Sequence, residues 1–506
     1  VKGNVVLDGG LFSDPVSDVT LQDINGSLTY SESGFSGPGL STVFRSYPAG
    51  LSLMADFEAD EKFRAELEGI FGVRDVIPEF LMQDFLALEQ VGGDCGWQVS
   101  LTVSASEDPN RSDTILRVES GLDGIAMDLP APMRKKPGER WPLVLSYPLS
   151  GPERLLDVVF EDRASLRFDL SGEDSSPLSA VIHLGSELPS LPGPGYIRLQ
   201  GGSEYIDLDG WIDVIIDEAI SGGGVAGLSL EGGELDAGSV LFLDRSFEDV
   251  RLRFDVEGSD INAGFEAEDI DGSLRFTMSD SGTNSLSAEF DRLVLGDPVS
   301  TGVDMDSDPS ELPALHLYVR SFSYAGVELG ETRIEAYPTA SGFHFEKVDA
   351  SSEQISVQAS GDWSLNEQGQ HSDFKIHMAS ESLGDFLQSL DISSSMEGGQ
   401  TLVDFNAWWP GSPATFALSR LNGQIVFSVV DGNITNASAG TGRLLGLLSI
   451  QALPKRLALD FRDVFDSGFS FDEASGTFEM ENGSAWTDNV LLESSAADIS
   501  VSGRTD

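Results

Sequence analysis

The chain has 506 residues, 40% of them hydrophobic, which is too long for one ordinary compact domain and too apolar for wholesale disorder. Its 84 acidic against 30 basic residues leave a formal net charge of -54, a field that repels nucleic acid and anionic headgroups. A single cysteine, Cys95, excludes an internal disulfide, and no stretch reaches the ~18–20 apolar residues of a membrane helix.

Glycine is abundant (55 residues), and β-branched residues fall in short alternating runs, the habits of strands and turns. The first clear element is Ile24-Asn-Gly26-Ser-Leu28-Thr-Tyr30, a glycine followed by apolar residues at i and i+2 that share one face of a strand. The same phrase returns as Ile270-Asp-Gly272-Ser-Leu274-Arg-Phe276, Leu421-Asn-Gly423-Gln-Ile425-Val-Phe427 and Ala474-Ser-Gly476-Thr-Phe478-Glu-Met480. Its glycine suits a turn, bulge or sheet corner.

Asp60–Ile70 reads as an amphipathic helix, with Phe63, Leu67 and Ile70 on one stripe, and Pro78–Leu88 as a second with proline near its start. Gly92, Gly93 and the strand from Trp97 to Val103 follow. Proline-rich stretches at Leu129-Pro-Ala-Pro132, Leu188–Pro194 and Ser307–Pro313 read as segment boundaries. The divisions are residues 1–128, 129–307 and 308–506. Further on, Ile355-Ser-Val357 leading to Gly361 and Ile499-Ser-Val501 leading to Gly503 form a second recurring phrase. Ser382–Leu390 predicts a third helix, again followed by two glycines, Gly398 and Gly399, and a strand from Thr401 to Trp408. Arg443–Ile450 reads as a further helix, apolar on most sides. Both chain ends read as cut from something longer.

The search for chemistry returns nothing. The histidines (His183, His316, His344, His371, His377) are scattered, with no metal-ligand spacing, and no zinc-binding cysteine cluster exists. Gly440-Thr-Gly442-Arg-Leu-Leu-Gly446 misses the dinucleotide spacing by one residue, and no nucleophile elbow or phosphate loop occurs. Asp304-Met-Asp306-Ser-Asp308 opens like a calcium loop, but Pro309 stands where glycine is needed and Leu315 where glutamate is. No enzyme, metal or cofactor is expected. What remains is a strand face that is apolar over a very long sheet, as a closed core or as an open groove. Leu28, Tyr30, Leu274, Phe276, Ile355, Val357, Ile425, Phe427, Phe478 and Met480 are its candidate residues.

The last third carries a resemblance. Trp409-Pro-Gly-Ser-Pro413, Asp431-Gly432, Gly440–Ser449, Leu453-Pro-Lys-Arg456, Asp460–Phe465, Gly468-Phe-Ser-Phe471 and Trp486-Thr-Asp-Asn489 follow in order, with Leu312-Pro-Ala-Leu315 and Leu329-Gly330 ahead of them. This text resembles the C-terminal region of the YhdP branch of AsmA-like proteins, over about residues 308–506. Leu129-Pro-Ala-Pro132 with Pro142-Leu143, and Ile206-Asp-Leu-Asp-Gly-Trp211, resemble it more loosely. The resemblance implies a mainly β fold: an elongated, curved antiparallel sheet forming a taco-like groove, with a few short amphipathic helices. It also implies a non-enzymatic carrier of phospholipid acyl chains in the periplasm of a Gram-negative bacterium. An inner-membrane anchor would lie outside this stretch, with the outer membrane or envelope proteins as further partners. The rival reading is a scaffold for outer-membrane proteins that pairs through exposed strand edges.

Overall fold

The computed structural model describes residues 2–14, 19–76, 90–106, 112–151, 154–172, 178–221, 228–279, 284–296, 299, 308–367, 369–389, 396–413, 416, 418–434, 469–495 and 498–505. Helix expectations at Pro78–Leu88 and Arg443–Ile450 lie outside these residues, as do Gly440–Gly446 and Asp304–Asp306. The chain forms two compact units, Val1–Glu257 and Gly258–Asp506.

In the first unit, strands from Gly3–Asp14 to Arg245–Glu257 pair with their neighbours in chain order. A small separate pair, Val91–Gly92 with Ala126–Met127, stands beside this sheet. Antiparallel hairpins dominate, because short Gly- and Asp-bearing turns join consecutive strands. Two pairings are parallel: Ser179–Leu184 with Tyr196–Asp207, and Tyr196–Asp207 with Ser229–Phe242. In the second unit, strands from Asp260–Glu266 to Ile499–Thr505 also pair in order. The parallel step there joins Ser285–Leu295 to Ala314–Tyr324. The sheets are therefore mixed rather than purely antiparallel. Two of the proline-rich stretches read as boundaries, Leu188–Pro194 and Ser307–Pro313, lie within the connections that parallel pairing requires.

One helix expectation is overturned. Asp60–Ile70 is not a helix; Glu61–Gly72 is a strand. Phe63, Ala65, Leu67 and Phe71 also fit period two, and pairing to Tyr47–Asp56 on one side and Asp94–Ala105 on the other decides the matter. Ile70, assigned to the helical stripe, is 66% exposed. The helix expected at Ser382–Leu390 is present as Leu383–Ser389. Val73–Val76 and Leu208–Ser221 are the other described α-helices.

The glycine of the recurring phrase has a physical reason that is clearest at Gly272 and Gly423. Gly272 has φ 152° and Gly423 has φ 132°, a region that favours glycine. A Cβ at Gly272 would lie 2.4 Å from the Glu289 carbonyl oxygen, and one at Gly423 would lie 1.9 Å from that of Asn406. The glycine lets the neighbouring strand approach just before the apolar pair begins.

Candidate functional site

Strand register places the apolar residues in rows that cross each unit. In the second unit one row steps from Ala263 to Leu274, Ala288, Leu317, Ile334, Val348, Ala359, Ile376, Phe405, Ile425 and Phe478. At about 4.8 Å per strand this is roughly 50 Å of sheet without a polar side chain in the row. A parallel row runs from Val357 to Met378, Val403 and Phe427. In the first unit the corresponding row runs from Leu40 to Leu51, Leu67, Val99, Val118, Leu145, Val158, Leu166, Ile182, Leu199, Gly233 and Phe254.

Burial separates the middle of these rows from their borders. Every member of the long second-unit row is half-buried. At one end of the strands the neighbouring positions are closed by Phe343, Trp363 and Trp409, all buried, with Leu312 packed against the first two. At the other end Val429, Phe471 and Leu492 are buried, and Leu383 of the helix Leu383–Ser389 packs into them. A second layer stacked on the sheet would bury the middle as fully as the borders. Among the described residues, the band is less buried in its middle than at these borders.

The opposite face carries charged and polar side chains in cross-strand pairs, with exposed Leu402, Trp408 and Val426 among them. Between Phe374, Ile376 and Met378 stand Lys375 and His377, and His377 Nδ1 lies 2.9 Å from Asp404 Oδ1 on the next strand. Gln424 Nε2 donates to Glu479 Oε1 at 2.6 Å, and His344 Nδ1 lies 2.7 Å from Asp362 Oδ1. His316 contacts Glu335. These histidines thus sit in cross-strand pairs on a solvated face.

The ten candidate residues divide unevenly. Leu274, Phe276, Val357, Ile425, Phe427, Phe478 and Met480 are half-buried, and register joins Leu274, Ile425 and Phe478 in one row. Phe427 and Phe478 also stack at 5.7 Å between ring centroids. In the first unit Leu28 is half-buried against the core, and Tyr30 is 42% exposed. Ile355 is buried, at the turn before its strand. The structure does not bring the first-unit pair together with the second-unit residues within one unit. Sequence reading missed Leu317, Ile334, Ile376 and Phe405, which carry no glycine phrase. Their signal was plain alternation, as in Phe374-Lys-Ile-His-Met378.

Two of the motif-bearing stretches, Trp409–Pro413 and Ile206–Trp211, include joints at the ends of strands. Trp409 Nε1 donates to the Ser412 carbonyl at 3.0 Å, Ser372 Oγ to that of Gly411 at 2.9 Å, and the Trp409 ring stacks on Phe374. In the first unit Asp207 caps the helix Leu208–Ser221 by accepting from Gly210 N. Trp211 Nε1 donates to Ala131 O at 2.9 Å, joining the two loosely matching stretches. Asp209 accepts from the amides of Leu243 and Asp244, and burial, opposed by these bonds, raises its carboxyl above the usual range. Elsewhere in the first unit Lys135 is buried, its ammonium donating to the carbonyls of Leu122, Ile125 and Lys136, and burial lowers its pKa.

Among the described residues no group of His, Cys, Asp and Glu could hold a metal, and no helix is long and apolar enough to cross a membrane. No solved structure matches the chain. The chain is 30% identical over 148 residues to the intermembrane phospholipid transporter YhdP of Escherichia coli (strain K12), a match covering 29% of this chain and 12% of that relative. A family model described as YhdP protein matches residues 1–506, and the chain belongs to the YhdP family.

Proposed function

We propose that this chain is a non-enzymatic lipid carrier, holding phospholipid acyl chains on its apolar strand faces as they pass between inner and outer membrane in the periplasm. The observation that carries the reading is the second-unit row: contiguous, free of polar side chains and half-buried between more deeply buried borders. Each methylene laid on such a face gains about 0.8 kcal/mol, so acyl chains are held without a dedicated residue. The row offers no nucleophile, acid or base, which suits carriage rather than catalysis. The relative's role in intermembrane phospholipid transport supports the same reading. Leu274, Phe276, Val357, Ile425, Phe427, Phe478 and Met480 are the contact residues in the second unit, and Leu28 and Tyr30 in the first. The same proposal takes the inner membrane, and the outer membrane or envelope proteins, as the partners at either end of the route.

The test is photocrosslinking in cells from benzoylphenylalanine placed at Phe276, Ile376 or Phe427, with mass spectrometry of lipid on the purified chain. Phospholipid adducts at these positions, and none from the opposite-face position Lys375, are the expected result. No co-purifying phospholipid and no adduct at any row position would end the proposal.

A further inference from the structure

Between Leu145 and Leu199 the first-unit row is half-buried throughout. The next two strands differ. Leu235 and Ala237 alternate with the row's Gly233, and their register partners Leu252 and Val250 alternate with Phe254, so all four share the apolar face. In that order their exposures are 5%, 6%, 6% and 2%. The helix Leu208–Ser221 lies against Ser229–Phe242. It stands in the connection that returns the chain from the end of Tyr196–Asp207 to the start of its parallel partner Ser229–Phe242. A right-handed crossover, the hand nearly all such connections take, carries it over the apolar face. Trp211 agrees, packing against the core that holds the row's Leu40, Leu51 and Val118. At about 1.5 Å per residue the helix reaches about 21 Å, roughly half the ~40 Å of the strand before it.

The first turn of this helix is held to the strand ends. Asp209 accepts from the amides of Leu243 and Asp244 at 2.9 and 2.8 Å, and Trp211 Nε1 donates to Ala131 O at 2.9 Å. Leu243 and Asp244, at φ 53° and 56°, form the two-residue turn between Ser229–Phe242 and Arg245–Glu257, so these bonds lie outside the sheet ladder. We propose that the helix is a strap gating the first-unit face: it rests on Leu235, Ala237, Val250 and Leu252, and pivots off them on its first turn when an acyl chain takes its place. The inference rests on the carrier reading above. An acyl chain exchanges one apolar cover for another, so the swap leaves little apolar surface in water and breaks no ladder bond. Lids of this kind open without unfolding the body that carries them.

Hydrogen exchange in Leu208–Ser221 reads the strap directly, with Leu143–Pro148 as the reference strand. The full chain is compared before and after incubation with vesicles of phosphatidylethanolamine, its bound lipid counted by mass spectrometry after re-isolation. Several-fold faster exchange in 212–221 once lipid is bound, with protection of Leu143–Pro148 kept, is the expected result. The variant D209A/W211F loosens the first turn but touches neither the ladder nor the four covered residues. There, exchange in Leu208–Ser221 should be raised before lipid is added, and lipid should be taken up faster. Unchanged or slower exchange in 212–221 with lipid bound, or equal loosening of Leu143–Pro148, would overturn the strap while leaving the carrier reading in place. Uptake no faster in the variant would overturn its role as a gate. Absence of any bound lipid would overturn the carrier reading itself.

Discussion

Phe427 and Val429 lie two residues apart on one strand and face the same way, yet they differ in exposure. Phe427 is half-buried, stacked on Phe478, whereas Val429 is 5% exposed among Phe469, Phe471 and Ala474. Replacing each with aspartate asks whether the middle of the face is open. For Phe427→Asp the new carboxylate can remain in water, and the loss is the buried half of a phenyl ring, about 1–2 kcal/mol. For Val429→Asp the carboxylate has no partner and little water, and an uncompensated buried charge costs about 3–5 kcal/mol. Hydrogen exchange in Met396–Pro410 and Asn422–Ile434 reports the local stability of the strands involved, without requiring the two units to unfold together. Phe427→Asp should leave protection nearly intact while lipid co-purification falls sharply; Val429→Asp should strip protection from both strands. Equal loss of protection in the two variants would mean that Phe427 belongs to a closed core, and the open-face argument would fail.

Gly423→Ala should cost well over about 1 kcal/mol, since its backbone is left-handed and its Cβ would enter the Asn406 carbonyl; a drop in the urea midpoint of the second unit checks this. Lys135→Met removes a donor from three carbonyls; those of Leu122 and Lys136 still accept from the amides of Ile125 and Glu139, so the loss falls mainly on Ile125 O, at about 1–3 kcal/mol where water fails to reach it, read as faster proteolysis of 121–142. The pH dependence has a defined sign: Lys135 is lowered in the folded state, so the unfolded chain holds the proton up to about 10.5 while the folded chain releases it sooner. The wild-type advantage over Lys135→Met should therefore grow as pH rises through that lowered value toward 10.5, and a constant difference in melting temperature would contradict it. Trp211→Phe removes the bond to Ala131 O and should cost about 1 kcal/mol, seen as loosened exchange in 129–132 and in the first turn of Leu208–Ser221.

The β character, the alternation and the role of glycine were legible because they are local. At Gly272 the phrase itself contains the glycine, the two apolar residues and the strand direction. The helix assigned to Asp60–Ile70 failed because eleven residues with apolar spacing of three and four also satisfy period two, and only the flanking strands choose between them. Leu188–Pro194 and Ser307–Pro313, read as boundaries, lie between parallel-paired strands, and proline and polar residues punctuate linkers and crossovers alike. Pairing direction is a property of the two strands the stretch connects, which its own composition does not carry. Lys135 was invisible for a similar reason: Met133-Arg-Lys-Lys136 reads as a solvated basic turn until Leu122 and Ile125 close over it.

The three parallel pairings bear on how the protein acquires its structure. A hairpin closes a loop of a few residues, so each antiparallel step can zip onto the last as the chain lengthens. A parallel step cannot, because the next strand must first travel back along the whole length of its neighbour before any main-chain bond forms. The junctions after Leu184, Asp207 and Leu295 are thus natural pauses, dividing each unit into blocks that can form early and join late. Until they join, each block carries unpaired strand edges beside an apolar face, the state in which a sheet of this kind is most open to mispairing.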